Sequence, residues 1–250
     1  MSTSLQVRPL EPGEKLDKWR VPNPAYLPDL PEIDEATKHG EREVSICIDP
    51  CLAKSQFAEQ WLVFIQGSRG GWPQGMSINA GGTIVIMTDV DGNYMLAEVD
   101  RPVPKRGERI PLPVKPDYFE RLGAPMKESP RGYKRDALAT AIETGLQEMA
   151  EETGIERYLK VIEAGETIPD SSVDPQPRDF LIVICDRQEI ARVPELAQAN
   201  EMIQNAEWVT DDELSKMIAD GVIRCGYTMS AKAKIDSLRK HYPDRFVLAT

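Results

Sequence analysis

Apolar residues along this chain follow two rhythms, and the switches between them mark out its elements. Phe180 to Cys185 (FLIVIC) is an unbroken apolar run of strand length, as expected of a strand covered on both faces. Thr83 to Thr88 (TIVIMT) and Tyr94 to Val99 predict two more strands, joined through Asp91-Gly92, a dipeptide suited to a tight hairpin. Val44, Ile46 and Ile48 alternate with other residues as in a half-buried strand; Trp61 to Ile65 and Leu159 to Ala164 add two short strands. Helical spacing takes over after Thr140. Thr140 and Glu143 form a capping box, in which hydroxyl and carboxylate each bond the other's backbone N–H, and Gly154 supplies the left-handed residue that ends the helix. A second capping box, Thr210 with Glu213, has Val209 and Leu214 placed as a hydrophobic staple and opens a helix that Gly221 closes. A last helix is predicted from about Ser230 to His241.

Prolines divide the rest. Residues 1–40 carry Pro9, Pro12, Pro22, Pro24, Pro28 and Pro31 with little apolar periodicity, which predicts an extended arm. Residues 41–76 form a small strand region, and the main domain is expected over 77–250. Within it, 102–127 holds six prolines from Pro102 to Pro125 and is expected to be a long loop insertion shaping a pocket. Glu195 to Asn205 is expected to be a further loop. The alternation of strands and helices predicts an α/β fold.

Composition narrows the classes. A chain of 250 residues holds one large domain or a domain with an extension. A net charge of −11 argues against nonspecific binding to nucleic acid or to an anionic membrane. No apolar run approaches the roughly 18 residues that span a bilayer, and the N-terminus lacks a charged-then-apolar signal pattern, so a cytoplasmic protein is expected. Cys47, Cys51, Cys185 and Cys225 suit reduced thiols there, and Cys47 and Cys51 with His39 lack the second close cysteine pair that a zinc site needs. Gly67-Ser68-Arg69-Gly70-Gly71 lacks the Lys-Ser/Thr of a phosphate loop, and Asp89 to Asn93 lacks the glutamate of a calcium loop, whose place falls on Asp100; both are turns.

The chemistry concentrates on the helix after Thr140. At about 100° per residue, Ile142, Leu146, Met149 and Ala150 fall on one side, and Glu148, Glu151 and Glu152 on the other. Three carboxylates on one face repel each other. A hard divalent cation such as Mg²⁺ or Mn²⁺ removes that penalty by taking carboxylate and phosphate oxygens together. A solvated acidic face is the alternative, and spacing alone leaves both open.

The segment QEMAEETGI resembles the second half of the Nudix box, G-x5-E-x7-R-E-U-x-E-E-x-G-U with U aliphatic. Glu148, Glu151, Glu152, Gly154 and Ile155 match it, with Met149 at the U position. Glu128-Ser129-Pro130-Arg131-Gly132-Tyr133 resembles the E-x-P-(A/R)-G segment of ADP-ribose pyrophosphatase-like members, and Ala97 to Val103 resembles their E-Q-x-R-x-P strand end, with Arg101 on the arginine. The resemblance implies a Nudix α/β/α sandwich with a mixed sheet, plus an N-terminal extension. It implies Mg²⁺ (or Mn²⁺) ligation by Glu148, Glu151 and Glu152, catalysis through Glu151 and Glu152, and substrate binding by Arg101 and Arg131. In related enzymes a glutamate in a later loop helps activate water; Glu201 is the candidate here, with Glu195 and Glu207 as rivals. The implied activity is Mg²⁺-dependent hydrolysis of a nucleoside diphosphate linked to another group, ADP-ribose-like molecules favoured, in a homodimer. Three positions depart from the pattern: the first glycine of the box falls on Tyr133, one place beyond Gly132, which implies a loop one residue longer, its first glutamate falls on Ala139 and its arginine on Gln147. Both charges of a usual brace are therefore missing together, which motivates the alternative of a catalytically weak nucleotide-binding or regulatory module.

Overall fold

In the computed structural model the described residues are 6–9, 15–16, 19–20, 44–45, 51–54, 58–67, 70–101, 103–109, 123–133, 139–169, 174–186, 191–200 and 203–248. The chain divides into two compact units, Met1–Ala80 with Ile168–Gln176, and Gly81–Thr167 with Pro177–Thr250. In the first unit, β1 (Gln6–Pro9), β5 (Cys51–Lys54), β6 (Ala58–Gly67) and β7 (Gly70–Asn79) form an antiparallel sheet in which β6 and β7 pair along their whole length. The short β2 (Lys15–Leu16), β3 (Trp19–Arg20) and β4 (Val44–Ser45) form a second sheet. The apolar run at Trp61 thus belongs to a ten-residue strand, and Ser77 falls inside its partner. Most of residues 1–40, together with Ile46 and Ile48, lies outside the described residues.

The second unit is built on one mixed sheet. Its strands are β8 (Gly82–Asp89), β9 (Tyr94–Arg101), β10 (Ala124–Glu128), β11 (Arg131–Tyr133), β12 (Lys160–Thr167), β13 (Arg178–Cys185) and β14 (Ile203–Val209). β13 runs parallel to β8 over eight residue pairs, with β12 antiparallel on its far side. Leu181, Ile182, Val183 and Cys185 are 0% exposed, as the unbroken apolar run demanded. Period-two alternation sends the strand residues to two cores. Ile84, Ile86, Leu96, Phe180, Ile182 and Ile184 pack with Leu214 of α3 (Asp211–Ala219) and Ala231 and Ile235 of α4 (Gly226–His241). Val85, Met87, Met95, Leu181, Val183 and Cys185 pack with Met149 of α1 (Ala141–Thr153). A short α2 (Glu195–Asn200) covers Ala97, Val99 and Ile203. Helices therefore lie on both faces of the sheet. Among the described residues no helix is long and apolar enough to cross a membrane.

Both capping boxes form, with Thr140 and Thr210 each bonded reciprocally to the glutamate three residues on, and Gly154 is left-handed at φ 71°. Other expectations are corrected. Residues 124–128 are an edge strand rather than loop: Ala124, Met126 and Glu128 point inward, and Pro125, which cannot donate to a ladder, is exposed. Glu195–Asn200 is a helix rather than loop, and Ile203 begins β14, which pairs with β9. The final helix begins at Gly226, four residues earlier than expected, because Cys225 occupies the N-cap without any side-chain cap to announce it.

The predicted hairpin is present as a turn but not as a ladder. Asp89 holds the turn by accepting from the N–H groups of Asp91 (2.9 Å) and Asn93 (2.8 Å), and Gly92 has φ 89°. Beyond it, β8 and β9 share the single pair Thr88–Tyr94 and then diverge. Arg239 of α4 holds that closed end, donating to the Tyr94 hydroxyl and to Thr88 Oγ1, each at 2.9 Å.

Two outcomes follow from this packing. A Cβ on Gly145 of α1 would lie 2.6 Å from Leu181 Cδ2 and 3.0 Å from Thr83 Cγ2, so the helix approaches the sheet only because this residue has no side chain. Gly145→Ala gains up to about 1 kcal/mol of helix propensity but overpacks at a cost of about 1–3 kcal/mol. A net drop in denaturant midpoint is expected; a rise would show that the helix can move away freely. Burial pushes the Tyr94 hydroxyl well above its ordinary value of 10.0, against the opposing charge of Arg239. The neutral phenol is thus favoured by folding, its contribution complete below pH 10 and lost as pH rises toward the folded value. Tyr94→Phe should melt lower than the parent at pH 7, having lost the bond from Arg239, and the gap should narrow above pH 10.

Candidate active site

The divergence of β8 and β9 leaves a fork, and residues 124–133 fill it. β10 pairs with β9 from Ala124–Arg101 to Glu128–Ala97; β11 pairs with β8 from Arg131–Ile84 to Tyr133–Gly82. The chain crosses between the two arms at Ser129-Pro130. Pro130 has no N–H to satisfy, and its carbonyl accepts from Val85 N at 2.8 Å. Ser129 N donates to Thr228 Oγ1 at 2.9 Å, fastening the crossing to the first turn of α4.

Against this crossing α1 sets its carboxylates. Glu148 and Glu152, one turn apart, are 7% and 2% exposed. That burial excludes a solvated acidic face at these two positions. The Glu148 carboxylate lies directly over Gly132, where any Cβ would overlap its Cδ and both oxygens. Glu151 is half-buried, and its Oε1 accepts from Gln147 Nε2 at 2.8 Å. The residue standing at the family's arginine thus reaches along its own helix to a carboxylate. Ala139, two residues before the helix, is half-buried.

Behind the crossing lies Glu128, 1% exposed. Arg101 donates to its Oε1 with Nε at 2.8 Å and also with Nη2, while Nη2 of Arg131 stands 3.5 Å from its Oε2. Arg131 also stacks on Tyr227, its Cζ 4.7 Å from the ring centroid. Burial works against the charge on Arg131, but Glu128, then Cys225, Tyr227 and Glu152, outweigh it and hold the group above its ordinary value. Of these, Glu152 is the contribution from α1 and the smallest.

Of the predicted site residues, Arg101 and Arg131 meet at Glu128, and Glu148 and Glu152 are buried beside β11. Glu201 lies outside the described residues. Of its rivals, Glu195 is exposed at the start of α2, and the Glu207 carboxylate is paired with Lys127. Glu128 carried no role in the sequence reading, although it stands within the E-x-P-(A/R)-G segment. Tyr227 and Thr228 gave no local signal at all, because nearly a hundred residues separate them from the crossing they support.

Among the described residues no three His, Cys, Asp or Glu side chains are gathered closely enough to hold a metal ion. The donor chemistry nonetheless fits a hard divalent cation. Glu148 and Glu152 are buried carboxylates one turn apart on one helix face, and carboxylate oxygens are the ligands such a cation takes.

No family model matches the sequence, and no curated protein matches it. Among solved structures, one described as the crystal structure of an ADP compounds hydrolase is similar, with a TM-score of 0.52 at 12% identity, over 78% of this chain and 92% of that one. At such low identity the likeness is one of fold. The chain has a Nudix-like fold, with a mixed sheet between helices among the described residues.

The contact of Glu148 with Gly132 can be tested alone. Gly132→Ala should cost about 1–3 kcal/mol of stability by overpacking. In a Glu148→Ala background the obstructing carboxylate is gone and the same substitution should cost much less. Equal costs in both backgrounds would show that the carboxylate does not rest on Gly132.

Proposed function

We propose that the protein is a hydrolase of the Nudix type that cleaves the diphosphate of a nucleoside diphosphate linked to another group, with ADP-ribose-like molecules favoured. The observation that carries this is the meeting of two charge sets at one strand crossing: buried Glu148 over Gly132 with buried Glu152 one turn on, and half-buried Arg101 and Arg131 on buried Glu128. The solved structure of similar fold, a hydrolase of ADP compounds, supports the substrate class.

Glu148, Glu151 and Glu152 would hold Mg²⁺ or Mn²⁺. When bound, such an ion supplies positive charge to the diphosphate and lowers the pKa of a bound water. Arg101 and Arg131 border the site with guanidinium groups, whose planar fork suits phosphate oxygens. Gln147 orients Glu151 through the bond to Oε1. A carboxylate oxygen of Glu201 is the proposed acceptor for the proton of the attacking water, a general-base role open to a glutamate within hydrogen-bond reach.

The second reading, a nucleotide-binding module with little turnover, is favoured by Ala139 and Gln147, which replace both charges of the family's brace. A screen of nucleoside diphosphate derivatives with Mg²⁺, read by phosphate release after phosphatase coupling, separates the two. Turnover of an ADP-ribose-like compound is expected; thermal stabilisation by nucleotide and Mg²⁺ without turnover would establish the module instead. Glu152→Gln keeps size and helix propensity while removing charge. It should lower turnover by about 100-fold or more, with weaker Mg²⁺ affinity by titration. Unchanged Mg²⁺ dependence would remove Glu152 from the ligand set.

A further inference from the structure

β10 ends its pairing at Glu128–Ala97 and β11 begins at Arg131–Ile84, so Ser129 and Pro130 fall between the two ladders. Pro130 has no N–H, and its carbonyl accepts from Val85 N at 2.8 Å. Ser129 is 6% exposed, and its N–H donates to a side chain, Thr228 Oγ1 at 2.9 Å. A buried N–H left without an acceptor costs free energy. At this one point in the sheet, a hydroxyl 99 residues further along the chain does the work of a strand neighbour.

What that bond positions is β11. Three residue pairs hold this strand to β8, and Gly132 is the middle one. The Glu148 carboxylate rests on Gly132 so closely that a Cβ there would lie 2.0 Å from Cδ and from Oε1. Interiors packed this tightly transmit a shift rather than absorb it, so a displacement of Gly132 moves the carboxylate or opens a gap beneath it. Thr228 is buried in the first turn of α4, a helix that Ala231 and Ile235 fix in the core. Its neighbour Tyr227 stacks on Arg131, so consecutive residues of α4 hold the crossing at positions 129 and 131.

We propose that Thr228 is a positioning residue for the carboxylate face of α1: its hydroxyl, through Ser129, sets β11 where Gly132 receives the Glu148 carboxylate. The inference rests on the hydrolase reading above for the identity of Glu148 as a metal ligand. Thr228 acts through the backbone of the crossing and not by contact with substrate or cation. The tie is a hydrogen bond rather than the bulk of the side chain, and that difference separates the variants below.

Titration of the full chain with Mn²⁺, followed by the electron paramagnetic resonance of the free ion and paired with thermal melting, tests this. Thr228→Val keeps the shape and removes the hydroxyl. Its Mn²⁺ affinity should fall about 10-fold or more, the loss usual when a group that orients a metal ligand is removed. Thr228→Ala removes the same hydroxyl without a branched Cβ and answers the question should the valine variant not fold. Thr228→Ser keeps the hydroxyl and should restore most of the affinity. Tyr94→Phe removes the bond from Arg239 at the far end of α4; it should melt lower yet take Mn²⁺ as the parent does. The proposal is overturned if Thr228→Val melts lower but binds Mn²⁺ as the parent does, or if Thr228→Ser binds as weakly as Thr228→Val. An equal loss of affinity in Tyr94→Phe, or a parent chain that takes up no Mn²⁺, overturns it as well. Mn²⁺ binding that depends on the Thr228 hydroxyl, without turnover of any nucleoside diphosphate derivative, would sink the hydrolase reading and leave this assignment standing. Turnover of an ADP-ribose-like compound with Mn²⁺ affinity unchanged in Thr228→Val would do the reverse.

Discussion

Backbone hydrogen bonding at the fork between β8 and β9 is the constraint on which the rest of this unit depends. Once the two strands separate past Thr88–Tyr94, each exposes polar backbone inside a sheet, where unpaired groups are not tolerated. A single segment serves both edges, as β10 along β9 and as β11 along β8. Because the chain must cross between them, Glu128 to Gly132 is carried into the centre of the unit. Arg239 secures the closed end of the fork and Thr228 the crossing, and both come from α4.

Charge enters the interior along with that crossing. A buried carboxylate such as Glu128 is tolerable only when paired, and two arginines on separate strands supply the compensation. On the opposite side α1 must come close enough to set Glu148 on Gly132, and Gly145 permits the approach. Two glycines thus decide where a carboxylate stands, one by what it lacks beneath the helix and one by what it lacks beneath the carboxylate. The covalent chain near the site is ordinary; its chemistry comes from how tightly these layers are brought together.

Local signals were legible in proportion to how local their causes are. Capping boxes at Thr140 and Thr210 involve residues three apart, and both formed as expected. The apolar run at Phe180 to Cys185 announced a strand covered on both faces because burial of every residue leaves no alternation. By contrast, Pro125 hid the inward-outward alternation of β10, and the uncapped Cys225 hid the first turn of α4. Asp91-Gly92 specified the turn correctly but could not say how far the strands stay together, since β10 and β11 take the edges along which β9 and β8 would otherwise pair with each other.

The sequence by itself determined the elements with short-range causes, the acidic pattern at Glu148, Glu151 and Glu152, and through resemblance the fold into which they fit. Only the tertiary structure decided that Glu148 and Glu152 are buried, that Glu128 belongs to the site, and that Tyr227 stacks beneath Arg131. The physical reason is range. Helical periodicity and capping are settled within a turn or two of backbone, whereas burial and pairing of charge depend on segments about a hundred residues apart meeting at one crossing. Whether an acidic face is solvated or buried is written in what packs against it, and no spacing along the chain carries that information.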